Sequence, residues 1–130
     1  MEALRSYLAA FSRAGVLQKG WAPMFVEERT YTLQPGKTAD YLKAYEEVGL
    51  GVQRAILGNL IGYFTTEIGI LNQVVHMWGY ESLNDRQERR KKLYENPIWQ
   101  NYVKTIRPWV MHQENRILVP TSFSPVVGER

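Results

Sequence analysis

The stretch Leu71-Asn72-Gln73-Val74-Val75-His76-Met77-Trp78-Gly79-Tyr80 decides how the chain folds. Strand side chains alternate between faces. As a strand, this stretch puts Asn72, Val74, His76, Trp78 and Tyr80 on one face and Gln73, Val75, Met77 and Gly79 on the other. The first face mixes polar and aromatic groups where a plain core strand is aliphatic. Such a face suits a pocket wall, a wet sheet face or an oligomer seam.

The segments around it supply partners. Leu60 to Glu67 is rich in β-branched and aromatic residues and reads as a strand. The short link Ile68-Gly69-Ile70 makes the pair an antiparallel hairpin. Met24 to Leu33 is another strand, with Phe25, Glu27, Arg29, Tyr31 and Leu33 on one face. Gln34-Pro35-Gly36-Lys37 then matches a type II turn. Thr38 is placed to cap a helix whose stripe is Tyr41, Leu42, Tyr45, Val48, Val52 and Ile56. Gly49 and Gly51 interrupt it, each costing about 1 kcal/mol relative to Ala, which predicts a kink or break. Downstream, Ser82 with Asp85 starts a helix, and Asn96-Pro97 starts another lined by Ile98, Trp99, Tyr102, Val103 and Ile106. His112 to Val119 closes the set as a strand.

The order β-α-β-β-α(α)-β is the ferredoxin-like α+β arrangement, a four-stranded antiparallel sheet with helices on one face. The other face also carries large side chains, and a lone sheet would expose more apolar surface than monomers usually show. Two sheets packed face to face, a dimeric α/β barrel, would bury it, so a homodimer is expected. The division is an amphipathic helical extension over 1–23, the domain over 24–125 and a tail over 126–130. In the extension Leu4, Tyr7, Leu8 and Phe11 recur at helical spacing. That segment reads as a helix packed on the domain, a targeting segment, or a docking helix for a protein partner.

Composition narrows the function classes. The chain has 130 residues, enough for one domain, with 45% hydrophobic and 22% charged residues. A net charge of +3 is too weak a basic excess to argue nucleic-acid binding. There is no cysteine, which removes thiol nucleophiles and zinc–thiolate sites. No run approaches the length of a membrane span. The expected compartment is the cytoplasm, or an organelle if residues 1–20 are a targeting segment. Four Trp, eight Tyr and four Phe are many for this size, and can line a pocket or an interface.

Several separated motifs, in order, resemble the NIPSNAP family. They are Glu28-Arg29-Thr30-Tyr31-Thr32-Leu33-Gln34-Pro35-Gly36-Lys37, the run Asn72 to Tyr80 followed by Arg86 and Arg90, Trp99 after Asn96-Pro97, and Ile117-Leu118-Val119-Pro120. The resemblance spans about Met24 to Pro125 and implies a dimeric α/β barrel, in agreement with the element order. It implies little chemistry, because members are mostly of unassigned activity. The wider barrel superfamily includes cofactor-free monooxygenases and heme-degrading enzymes, so such an enzyme is a weaker alternative by fold analogy alone.

Five residues form the candidate ligand site: Arg29, Tyr31, Asn72, His76 and Trp78. His76 is the best catalytic candidate, as a general base or heme ligand; the competing reading is a histidine hydrogen-bonded in the pocket wall. Asn72 and Trp78 lie about 20 Å apart along a strand and cannot grip one small atom together. Arg29 and Tyr31, on a neighbouring strand, can bind a carboxylate; the alternative is an ion pair of Arg29 with Glu27 or Glu114. A metal would need His76 to meet His112 across the sheet, so none is expected, nor is any cofactor. Arg86 to Lys92 reads as a solvated helix face. No reaction can be read from these residues.

Overall fold

The computed structural model describes residues 22–127. The helix expected over residues 1–20, with its docking or targeting role, lies outside the described residues, as does the end of the tail. Strand β1 is Phe25–Leu33, followed by helix α1, Thr38–Ala44. A π-helical turn, Tyr45–Gly49, joins α1 to α2, Leu50–Leu57. Strands β2, Asn59–Thr65, and β3, Gln73–Tyr80, follow, then helices α3, Leu83–Glu95, and α4, Pro97–Ile106. A 3-10 turn at Arg107–Trp109 leads into β4, Val110–Leu118, and a second at Pro125–Val127 ends the described chain. The sheet order is β2-β3-β1-β4, antiparallel throughout. The predicted neighbourhood of the first and third strands is therefore present, with Arg29 opposite His76 and Tyr31 opposite Val74.

The helix over 38–57 does not break at its glycines. Its buried residues are Tyr41, Tyr45, Gly49, Gln53 and Leu57, a strict period of four. An α-helix turns every 3.6 residues, so a period of four drifts around the axis. One wider π turn takes up the drift and keeps all five residues on the sheet. Val48, expected on the stripe, is 43% exposed for the same reason. Gly49 is needed for closeness: a Cβ there would stand 2.8 Å from ring carbons of both Tyr45 and Tyr102.

The other helix starts follow their signals, with one exception. Ser82 Oγ accepts from the Asp85 N–H at 2.9 Å, and Asn96 Oδ1 accepts from the N–H groups of Ile98 and Trp99 at 2.9 and 3.1 Å. Thr38, however, is the first helical residue and not the cap; Lys37 takes the cap position without a capping side-chain bond.

The helices cover the sheet face that carries Glu27, Arg29, Tyr31, Leu33, Val74, His76 and Trp78. Two apolar clusters lie between the layers. One gathers Tyr31, Leu33, Tyr41, Tyr45, Val74, Tyr102 and Ile106; the other gathers Leu57, Trp78, Tyr80 and Leu93. No helix among the described residues is long and apolar enough to cross a membrane.

Candidate functional site

A cavity of about 480 Å³ opens between the sheet and the helices. Its polar wall includes Arg29, Tyr31, His76, Arg90 and Tyr94, with Gln53, Arg107, His112 and Gln113 also on the lining; its apolar wall includes Tyr41, Trp99, Val103, Ile106 and Val110. The size and the mixture of apolar lining with a few polar groups are those of small-molecule sites. The sheet face and the helices of one chain wall this space. The aromatic and polar face of β3, which suited a pocket wall, a wet sheet face or an oligomer seam, is the helix-covered one.

The five predicted contacts separate. Arg29, Tyr31 and His76 line the cavity. Asn72 does not; it precedes β3 at φ 62°, in the left-handed region that Asn tolerates, and its carbonyl accepts from the Leu33 N–H at 2.7 Å. It is a turn residue. Trp78 lies behind His76, fully buried, and donates its Nε1–H to His76 Nδ1 at 2.8 Å.

That bond fixes what His76 can do. An indole N–H is only a donor, so Nδ1 must supply its lone pair, and the neutral ring carries its proton on Nε2. Tyr63 stacks on the imidazole at 4.6 Å between centroids, and Tyr31 meets it edge-on at 5.0 Å. Burial, and then the charge of Arg29, push its pKa down to about 3. His76 is therefore a neutral hydrogen-bond donor, and its buried Nε2–H finds no acceptor among the described residues. General-base work and axial ligation both need a free lone pair, so the residues present do not fit a heme held through His76.

Beside it lies a cluster that sequence reading only half found. Glu27 is fully buried. Its Oε2 accepts from Arg86 Nη2 at 2.5 Å and Nε at 3.0 Å, from Asn115 Nδ2 at 2.9 Å and from Arg29 Nη1 at 3.3 Å. The competing reading of Arg29 as an ion-pair partner of Glu27 is thus realised, while Arg29 also reaches Tyr31 Oη through Nε at 2.9 Å. Glu114, the other partner considered, stands beside His112 at 3.3 Å, both well exposed. Burial pushes the Glu27 carboxyl up, but the bonds from Arg86 and Asn115 and the charges of Arg29 and Arg90 outweigh it, and its pKa ends below the ordinary value.

Arg90 is the residue that sequence reading missed. It is 7% exposed, with Nη1 3.9 Å from Glu27 Oε1 and without a hydrogen-bond partner among the described residues, while Nη2 donates to Tyr94 Oη. The run Arg86 to Lys92 is not a purely solvated face: Arg86 and Arg90 turn to Glu27, and Arg89 donates to the carbonyls that end α2 at Ile56 and Leu57. The available signal was spacing. Arg86, Arg90 and Leu93 stand at i, i+4 and i+7, one face of a helix. Among the described residues no group of three or more His, Cys, Asp or Glu side chains could hold a metal ion.

A family model described as NIPSNAP matches residues 26–125. The chain belongs to the NIPSNAP family. A NIPSNAP family protein of Agrobacterium tumefaciens, solved by crystallography, is 54% identical, covers 78% of this chain and 96% of its own, and superposes with a TM-score of 0.76. An uncharacterized NIPSNAP-like domain protein from Burkholderia xenovorans is 50% identical over 80% of this chain and 90% of its own, with a TM-score of 0.78. Protein NipSnap of Drosophila melanogaster is 31% identical over 119 residues, 92% of this chain and 43% of that protein. This NIPSNAP chain thus spans about two-fifths of that relative's length. A putative antibiotic biosynthesis monooxygenase from Nitrosomonas europaea, 13% identical at a TM-score of 0.56 over 75% of this chain and 98% of its own, shares the fold alone. The NIPSNAP sheet and helices are thus the ferredoxin-like α+β fold read from the sequence.

Proposed function

We propose that this NIPSNAP chain binds a small organic anion in the cavity between its sheet and helices. One observation carries the reading: three guanidinium groups, Arg29, Arg86 and Arg90, surround the single carboxylate of Glu27. Buried charges are ordinarily paired. Here an excess of positive charge stands at the cavity wall, beside two buried donors that make no hydrogen bond among the described residues: His76 Nε2–H, and Arg90 Nη1, which meets Glu27 Oε1 only at 3.9 Å. An anion would supply both deficits. The role is binding rather than acid–base work by His76, whose lone pair is occupied. The test is calorimetric titration with phenylacetate, hexanoate, inorganic phosphate and sulfate. At least one should bind one-to-one, and Arg90→Gln should weaken it tenfold or more. A protein indifferent to all four overturns the reading.

A homodimer is favoured by a separate observation. Among the described residues strand β4 pairs on one edge only, and residues 111–117 are exposed throughout. Long bare edges are ordinarily covered. The uncovered sheet face adds Phe64, 53% exposed, with half-buried Val75 and Met77. Light scattering should give twice the chain mass of 15.1 kDa, and Phe64→Asp should shift the population to monomer. A wild-type monomer would remove this reading and leave the cavity untouched.

A further inference from the structure

We infer that Tyr94 occupies the place of the ligand's head group on Arg90, and that the ligand which displaces it is a carboxylate with an apolar body. The inference rests on the anion-binding reading and names its chemistry.

The starting point is accessibility. Arg90 Nη1 is buried, so an incoming oxygen reaches it only after a neighbouring side chain moves. Tyr94 is the side chain placed to move. It sits in the last turn of α3 and is 54% exposed, unlike the buried tyrosines deeper in the cavity wall. Its hydroxyl oxygen accepts from Arg90 Nη2, and the guanidinium carbon lies 5.0 Å from its ring centroid. Its backbone is held, since Gln100 Nε2 donates to the Tyr94 carbonyl at 2.7 Å. A rotamer change can therefore release the phenol without unwinding the helix, and exposed side chains change rotamer readily.

Geometry then selects the head group. With Tyr94 swung away, Arg90 offers Nη2 side by side with Nη1, which makes no hydrogen bond among the described residues and meets Glu27 Oε1 only at 3.9 Å. That fork matches the two oxygens of a planar carboxylate. The phenol oxygen supplies only one acceptor, and a neutral one, so a carboxylate is the better occupant of the same seat. The remaining space selects the body. Trp99, Val103, Ile106 and Val110 line the cavity beyond the guanidinium, and apolar groups gain by burial there.

The experiment compares wild type with Tyr94→Phe, which keeps the ring and removes the competing oxygen. Phenylacetate and hexanoate should bind Tyr94→Phe roughly tenfold more tightly, the effect of one hydrogen bond to a charged group. Phenethyl alcohol and hexan-1-ol, with the same bodies and no charge, should bind both proteins at least tenfold more weakly than the acids. A merely structural Tyr94 would give unchanged or weaker binding in the variant, and either result overturns the inference. Equal binding of acids and alcohols overturns it too. If inorganic phosphate or sulfate binds through Arg90 while the carboxylates do not, the inference fails and the anion cavity stands. If no anion binds either protein, both fail.

Discussion

Glu27→Gln should lower the free energy of unfolding by about 3–5 kcal/mol, the range seen when one partner of a buried ion cluster is removed. Three guanidinium groups depend on this one carboxylate, and its side chain is fully buried. Gln keeps the shape and one acceptor oxygen but removes the charge, so three cations, two largely buried and Arg86 partly exposed, are left facing one another. The side chain also links distant parts of the chain. It ties β1 to α3 through Arg86 and to β4 through Asn115. Urea unfolding followed by circular dichroism measures the loss. Glu27→Gln combined with Arg86→Met should cost less than the sum of the two single changes, because each removes part of the other's imbalance. A single-variant loss under about 1 kcal/mol would mean that the cluster contributes little to folding.

The fold was legible because its signals are local and repeated. Alternation in the stretch ending at Tyr80, the caps at Ser82 and Asn96 and the turn before Lys37 each act within a few residues. Their order then leaves one sheet topology. The site was legible only where a strand's alternation carries it. Arg29, Tyr31 and His76 share a face by parity, and antiparallel pairing brings them together. Parity says nothing about depth, however. Trp78 has the same parity as His76, yet it lies behind the imidazole, where an indole fills the core and its N–H needs an acceptor. Asn72 failed for another reason: the hairpin link is longer than read, and a left-handed residue ends it before the strand begins.

Arg90 was hidden by composition. Six charged residues between Arg86 and Lys92 look like solvated surface. Which of them turn inward depends on a carboxylate fifty-nine residues away from Arg86 in sequence, on another element. The spacing of Arg86, Arg90 and Leu93 marks one helix face, but the partner that draws the two arginines inward is not local. The π turn was equally illegible, since two glycines in a helix weaken it by propensity and give no hint that one is there to admit two tyrosine rings.

Acid should destabilise this protein earlier than its carboxylates alone would require. His76 has its pKa pushed down from 6.5 to about 3, by burial first and then by Arg29. The unfolded chain, with an ordinary imidazole, binds a proton more readily than the folded one. Protonation therefore favours unfolding, and the stability present above pH 6.5 falls as pH drops below that value, continuing down to about pH 3. Each pH unit inside this window removes about 1.4 kcal/mol, so about 3 kcal/mol should be gone by pH 4.5. Glu27 acts in the same direction but in a lower window. Its pKa is depressed, so its contribution is full above the unfolded value of 4.5 and is lost only as pH falls through the lower folded value. The two windows separate the two groups. Urea unfolding at pH 7.5, 5.5 and 4.5 should show the loss in wild type. His76→Gln, whose side-chain oxygen can still accept from Trp78, should be nearly flat over that range, though less stable at pH 7.5. A variant that keeps the wild-type slope would place the titrating group elsewhere and return the lone pair of His76 to the list of possible bases.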